Sequence, residues 1–140
     1  MSVKRDATDK AFSDAIRESY DYTCTACSTN YRHDKGYIHC AHIHTRKHRS
    51  TRWNSEYGAV ALCAKCHRRF TDFPIEWADF LKRYMGDANY DEAKRLAWAC
   101  RKYTRPEQLE VRRHYQGELK RIEQLRMDGT QGDIRLVSYD

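Results

Sequence analysis

The sequence predicts a small α+β domain built on a four-cysteine metal site and flanked by N- and C-terminal α-helices. Its basis is a pair of CxxC turns, Cys24–Cys27 and Cys63–Cys66, with a short apolar run just ahead of the second and another between the two. On both sides of them, apolar residues recur at helical spacing. A chain of 140 residues is long enough for one modest core.

In chain order, the first helix is expected from Thr8 to Ser19. Ala11, Phe12, Ala15 and Ile16 form one apolar stripe, and Thr8 serves as N-cap. The first CxxC knuckle follows, and Tyr37 to Ile43 reads as a short strand. His44 to Tyr57 is a basic loop, and Ala59 to Leu62 (AVAL) is a second, buried strand. That strand runs into the second knuckle and a short helix carrying His67, Arg68 and Arg69. Phe73-Pro74 ends this helix and opens another, because proline suits the first helical position. Trp77, Phe80, Leu81 and Tyr84 share a face there, and Gly86 is the stop. Asp91 to Tyr103 repeats the pattern through Ala93, Leu96, Ala97 and Cys100. Thr104-Arg105-Pro106-Glu107 has the form of a capping box. It opens a long helix with Val111, Tyr115, Leu119, Ile122 and Leu125 on one side, and residues from Asp128 onward read as a loosely held tail.

Composition narrows the function classes. Charged residues make up 33% of the chain and the formal net charge is +6, which suits a polyanionic partner. The charge is uneven: between Lys35 and Ser55 there is no acidic residue, while Lys35, Arg46, Lys47, Arg49 and Arg52 are all basic. His39, His42, His44 and His48 lie in the same stretch. No apolar run reaches membrane-spanning length, so no membrane partner is expected. The opening MSVKRDATDK has no apolar core of a secretory signal, so a cytoplasmic location is expected.

That location bears on the six cysteines. In a reducing compartment, two CxxC pairs read as metal knuckles rather than disulfides. Zn²⁺ takes four thiolates in a tetrahedron, so Cys24, Cys27, Cys63 and Cys66 are assigned to a structural zinc ion with no open coordination position. Thirty-five residues separate the knuckles, so a folded insertion must lie between them. Cys40 and Cys100 are left over as buried free thiols.

The segment HCAHIHTRKHRSTRWNSEYGAVALCAKCHRRF places a histidine at a strand end, then a basic loop, a second strand and a helix opening with Cys-His. This order resembles the ββα-metal core of HNH endonucleases. Within them it is most similar to the NinG/Rap group of phage recombination endonucleases. The likeness rests on Cys24/Cys27, Cys40-Ala41-His42, Thr45-Arg46-Lys47-His48, Thr51-Arg52-Trp53 and Cys63/Cys66-His67, and spans about residues 20 to 86. It implies a nuclease domain over 1–86, a helical extension over 87–127 that packs on the core or mediates a homodimer, and a tail over 128–140.

By this resemblance His42 is the general base and His67 the ligand of a catalytic divalent ion (Mg²⁺, Mn²⁺ or another transition metal). Chemistry independently asks for such a base, since imidazole can deprotonate water near neutral pH. HNH nucleases often carry an acid just before the base; here that position is Ala41, and His39 is the candidate second ligand. In a regular strand His39 points opposite to His42. Gly58 stands where the motif's loop-steadying asparagine is expected, which leaves Asn54 for that role. Arg46, Lys47, Arg52, Arg68 and Arg69 are assigned to DNA phosphates, with Arg49 and His48 behind them. Trp53 and Trp77 read as core aromatics. The implied function is hydrolysis of DNA phosphodiester bonds, on duplex or branched recombination intermediates. A non-catalytic zinc-stabilised DNA-binding module, or an RNA-directed nuclease on the same fold, is the alternative.

Overall fold

The computed structural model describes residues 3–140; Met1 and Ser2 lie outside the described residues. Its elements in chain order are α1 (Ala7–Ser19), a 3₁₀ turn (Lys35–Tyr37), β1 (Ile38–His42), α2 (Arg49–Arg52), β2 (Ala59–Cys63), α3 (Ala64–Asp72), α4 (Pro74–Met85), α5 (Asp87–Ala97) and α6 (Arg105–Met127). The architecture is α+β, with helices around a two-stranded antiparallel sheet. No helix among the described residues is long and apolar enough to cross a membrane.

Local chemistry sets most helix ends. α1 begins one residue earlier than expected, and its N-cap is Asp6 rather than Thr8. Asp6 and Asp9 form a reciprocal capping box, each carboxylate accepting from the other's backbone N–H at 2.9 Å. Thr104 and Glu107 do the same for α6 at 3.2 Å. Pro74 opens α4, and Gly86, at φ +82°, ends it and caps α5 at once. The glycine therefore moves α5 ahead of the expected Asp91–Tyr103 helix. That helix stops at Ala97, and Cys100 is exposed in the connection to α6 rather than buried.

The basic loop between the strands contains one helical turn, α2, and closes through Gly58. A Cβ on Gly58 would stand 2.1 Å from the Thr51 carbonyl and 2.3 Å from that of Asn54. Only glycine lets the backbone pass so close. Asn54 Oδ1 accepts from the N–H groups of Glu56 (3.0 Å) and Tyr57 (2.8 Å), turning the chain into β2.

β1 pairs with β2 from Ile38↔Cys63 to His42↔Ala59. Every residue of β2 is buried, because α1 and α3 both contact the sheet. Two apolar clusters result. One joins α1 and α6 through Phe12, Ile16, Val111, Tyr115 and Ile122, together with Trp53 and Tyr103. The other joins the sheet, Cys24 and Cys63 to Leu81 of α4 and Ala93 of α5. The apolar stripe of α6 is thus covered by α1 within the chain.

The segment after Asp128 is not loosely held. Leu136 is buried in the α1–α6 cluster, where Ile134 and Tyr139 also pack. Its backbone is tied down as well: Ile134 donates to the Ser19 carbonyl at 2.8 Å and Val137 to Glu118 at 2.6 Å. Few apolar residues occur there, so the sequence gives little sign of this docking. Leu136→Ala is expected to cost about 2–5 kcal/mol, the usual range for a buried leucine, read from urea unfolding. A loss below about 0.5 kcal/mol would return the segment to the status of a surface tail.

Candidate functional site

Two groups of chemistry-bearing side chains lie on and beside the sheet. In the first, the sulfur atoms of Cys24, Cys27, Cys63 and Cys66 all lie within 4.8 Å of one another. A tetrahedral zinc with Zn–S bonds of about 2.3 Å needs sulfurs about 3.8 Å apart, so the cluster can hold such an ion with little adjustment. Each knuckle is shaped by its backbone. Cys24 N–H donates to the Thr29 carbonyl at 2.9 Å and Ser28 N–H to the Cys24 carbonyl at 2.8 Å, with Ser28 at φ +62°. Thr25 pins this turn to β2, its N–H (3.0 Å) and hydroxyl (2.7 Å) both donating to the Ala61 carbonyl. In the second knuckle Cys63 is the N-cap of α3, accepting from Cys66 N–H.

Burial pushes the Cys24 and Cys66 thiols up. At exposed Cys27 burial also pushes upward, but hydrogen bonding with Thr29, Cys24 and Cys63 outweighs it and brings the thiol down to about 7. Cys40 lies apart, its thiol raised to about 12 by burial.

The second group lines a cleft of ≈ 940 Å³ along the free edge of β1, bounded by α1, the basic loop and the α3–α4 junction. Because the sheet has two strands, the outer edge of β1 is unpaired and the cleft meets residues from both of its faces. His39 leans toward α3, where its Nδ1 lies 2.9 Å from Nδ1 of His67. His42 leans toward α1, its ring 5.9 Å from that of Phe12. Strand alternation therefore holds, and the cleft nonetheless takes in His39, His42 and His67, with His44 and His48 further along.

His42 Nε2 is 2.9 Å from the backbone carbonyl of Arg52. A carbonyl can only accept, so Nε2 carries the proton and Nδ1 keeps its lone pair. Burial, foremost, holds the His42 pKa below its ordinary 6.5; the Arg52 carbonyl and the Asp9 charge pull it back up, while Arg46 and the Arg52 charge oppose them. Burial also lowers His39, with Arg17 assisting, and His67, with His39 assisting. All three imidazoles thus favour the neutral form, the one that accepts a proton or binds a metal.

The arginines are distributed differently from expectation. Arg46 borders the cleft, 3.9 Å from Asp9, and Lys47 is exposed on the loop beside it. Arg52 does not face solvent. It is buried and bound to Asp9 at 2.8 and 2.5 Å, so its guanidinium is committed inside the protein and closed to phosphate. Arg68 and Arg69 are exposed on α3 around a separate hollow, and Arg69 is held by Glu76 at 2.9 and 3.2 Å. The helical turn at the start of α3 carries them away from the cleft that His67 enters. In their place the cleft has Arg5 and Arg17, which sequence reasoning missed. Their one signal is the spacing of Asp9, Ser13 and Arg17, a polar stripe beside the apolar face of α1. Trp53 is buried and Trp77 half-buried, as core aromatics.

Comparisons with models of known families, with curated proteins and with solved structures found no match to this chain. Function is therefore argued from the site alone.

If the four thiolates hold a structural ion, its binding energy is folding energy. Cys63→Ser is expected to lose bound zinc and the cooperative melting transition together. A Cys63→Ser protein with wild-type zinc content and melting temperature would remove this metal centre.

Proposed function

We propose that the chain is a metal-dependent endonuclease of the HNH type that hydrolyses DNA phosphodiester bonds. The observation carrying this reading is that His39, His42 and His67 border one arginine-walled cleft, two of them nitrogen to nitrogen and the third with its tautomer set.

His42 is the general base: the free Nδ1 takes a proton from the water attacking phosphorus. His39 and His67 are the ligands for a divalent ion, since their Nδ1 atoms are as close as two ligands on one metal need to be. When bound there, such an ion supplies polarisation of the scissile phosphate and stabilisation of the leaving oxygen. Arg5, Arg17 and Arg46 receive the backbone phosphates, with Lys47 and Arg49 extending the basic track along the loop. Asn54 steadies that loop. The likeness to the NinG/Rap group suggests branched recombination intermediates as the substrate, in a bacterial cytoplasm.

The decisive assay incubates the protein with linear duplex, single-stranded and four-way-junction DNA, with Mg²⁺ or Mn²⁺ and with EDTA. Divalent-dependent nicking or cutting is expected. Failure on all three DNAs with either ion overturns the nuclease, and salt-sensitive binding without cleavage would then support the DNA-binding module.

Asp9 is the sole carboxylate among the described residues of the cleft, and its oxygens are engaged by Arg52 and Trp53. A site of imidazoles alone attracts Mg²⁺ poorly and suits transition metals. Activity with Mn²⁺, Co²⁺ or Ni²⁺ is therefore expected to exceed that with Mg²⁺. Tight Mg²⁺ binding by the free protein in calorimetry would mean that an oxygen ligand completes the site.

His42→Ala is expected to lower turnover about 10²- to 10⁴-fold with the fold intact. Because burial holds the His42 pKa below its ordinary value, the catalytic neutral form predominates near pH 7. Cleavage should rise with pH through the acidic range and level off by about pH 7. An ascending limb centred above about pH 8 would assign the base to another group.

A further inference from the structure

We infer that Asp9 and Arg52 form a clamp that sets the orientation and tautomer of His42, making Asp9 a positioning residue for the proposed base. The inference goes beyond the nuclease reading, because the clamp and the tautomer can be read without any DNA.

Arg52 is the last residue of α2, and the final carbonyls of a helix have no partner within it. That free carbonyl is the one His42 uses, at 2.9 Å. It belongs to the peptide joining Arg52 to Trp53, and Asp9 holds both residues. Asp9 Oδ1 accepts from Arg52 Nε at 2.8 Å and from Trp53 Nε1 at 3.0 Å; Oδ2 accepts from Arg52 Nη2 at 2.5 Å and from Asp6 N–H at 2.9 Å. On the far side, the Trp53 carbonyl accepts from the Tyr115 hydroxyl. The peptide plane between the two side chains therefore has little freedom to turn.

Burial makes the arrangement rigid: Asp9 is 4% exposed, Trp53 3% and Arg52 9%. A buried ion pair is a poor source of stability, because desolvating both charges offsets most of their attraction. Two apolar residues could fill the same space, but they could not hold a peptide plane from both ends. The functional consequence lies in the ring of His42. While the carbonyl stays in place, Nε2 keeps the proton and Nδ1 stays the basic nitrogen of a residue that lines the cleft. If the carbonyl turns, either nitrogen can carry the proton and the base is correct for only part of the time.

The test uses the full chain as wild type and as Asp9→Asn, Asp9→Glu and Arg52→Lys, each checked for zinc content and melting. The His42 tautomer is read by long-range ¹H–¹⁵N NMR above its pKa, and kcat and KM are measured on the DNA that the wild type cuts best. The wild type is expected to show the Nε2–H tautomer alone. Asp9→Asn is expected to populate both tautomers and to lower kcat about 10- to 100-fold with KM within about 2-fold, as a displaced base would. Arg52→Lys should act in the same direction, since an ammonium cannot hold the bidentate fork. Asp9→Glu should recover part of both readouts. A folded Asp9→Asn protein with the wild-type tautomer overturns the clamp, as does an Nδ1–H tautomer in the wild type. If Asp9→Asn does not fold, Arg52→Lys and Asp9→Glu decide by the same criteria. A wild type that holds the Nε2–H tautomer, loses it in Asp9→Asn and cuts no DNA would overturn the nuclease reading alone.

Discussion

The candidate site depends on the pairing of β1 with β2. Register puts Cys63 opposite Ile38 and Ala59 opposite His42. One end of the ladder therefore carries a knuckle of the cysteine cluster and the other the proposed base. A two-stranded sheet is marginal by itself, and this one is held by what lies against it. α1, itself backed by α6, lies against it, as do α3 and the apolar cluster that includes Leu81 of α4. The same smallness leaves the outer edge of β1 unpaired. An open edge is ordinarily a liability, and here it becomes the floor of the histidine cleft.

The helices at the two ends of the chain are not accessory to this core. α1 brings Phe12 against the His42 ring, Arg17 into the cleft wall and Asp9 under the basic loop. α6 in turn fixes α1, and the C-terminal segment closes over both through Leu136 and Ile134. Chain ends far apart in sequence thus determine where the central loop can sit. The geometry of the proposed base is set by residues outside the segment that carries the motif.

Arg52 shows how charge is divided between structure and surface. Of the cations in the basic loop, it alone is buried and committed to a carboxylate, while Arg46 stays on the cleft wall and Lys47 and Arg49 remain in water. Sequence treats these as one run of similar residues. Burial separates an internal brace from the residues available to a polyanion, and the difference is tertiary because Asp9 comes from another helix.

By itself the sequence determined what depends on local spacing. The CxxC pairs, the short strands expected over Tyr37–Ile43 and Ala59–Leu62, the proline at the start of α4 and the Thr104/Glu107 box each act within a few residues, so their geometry follows from residue type. The grouping of the two knuckles was also legible, because two CxxC turns have the spacing of one tetrahedral metal site. Only the tertiary structure decided which cations face the histidines, that Cys100 is exposed, and that the last residues are packed rather than loose. It also decided that His39 meets His67 while His42 meets the Arg52 carbonyl. These are contacts between elements separated by a helix, a strand or most of the chain. Their selection rests on shape and burial summed over many residues, which no short motif records.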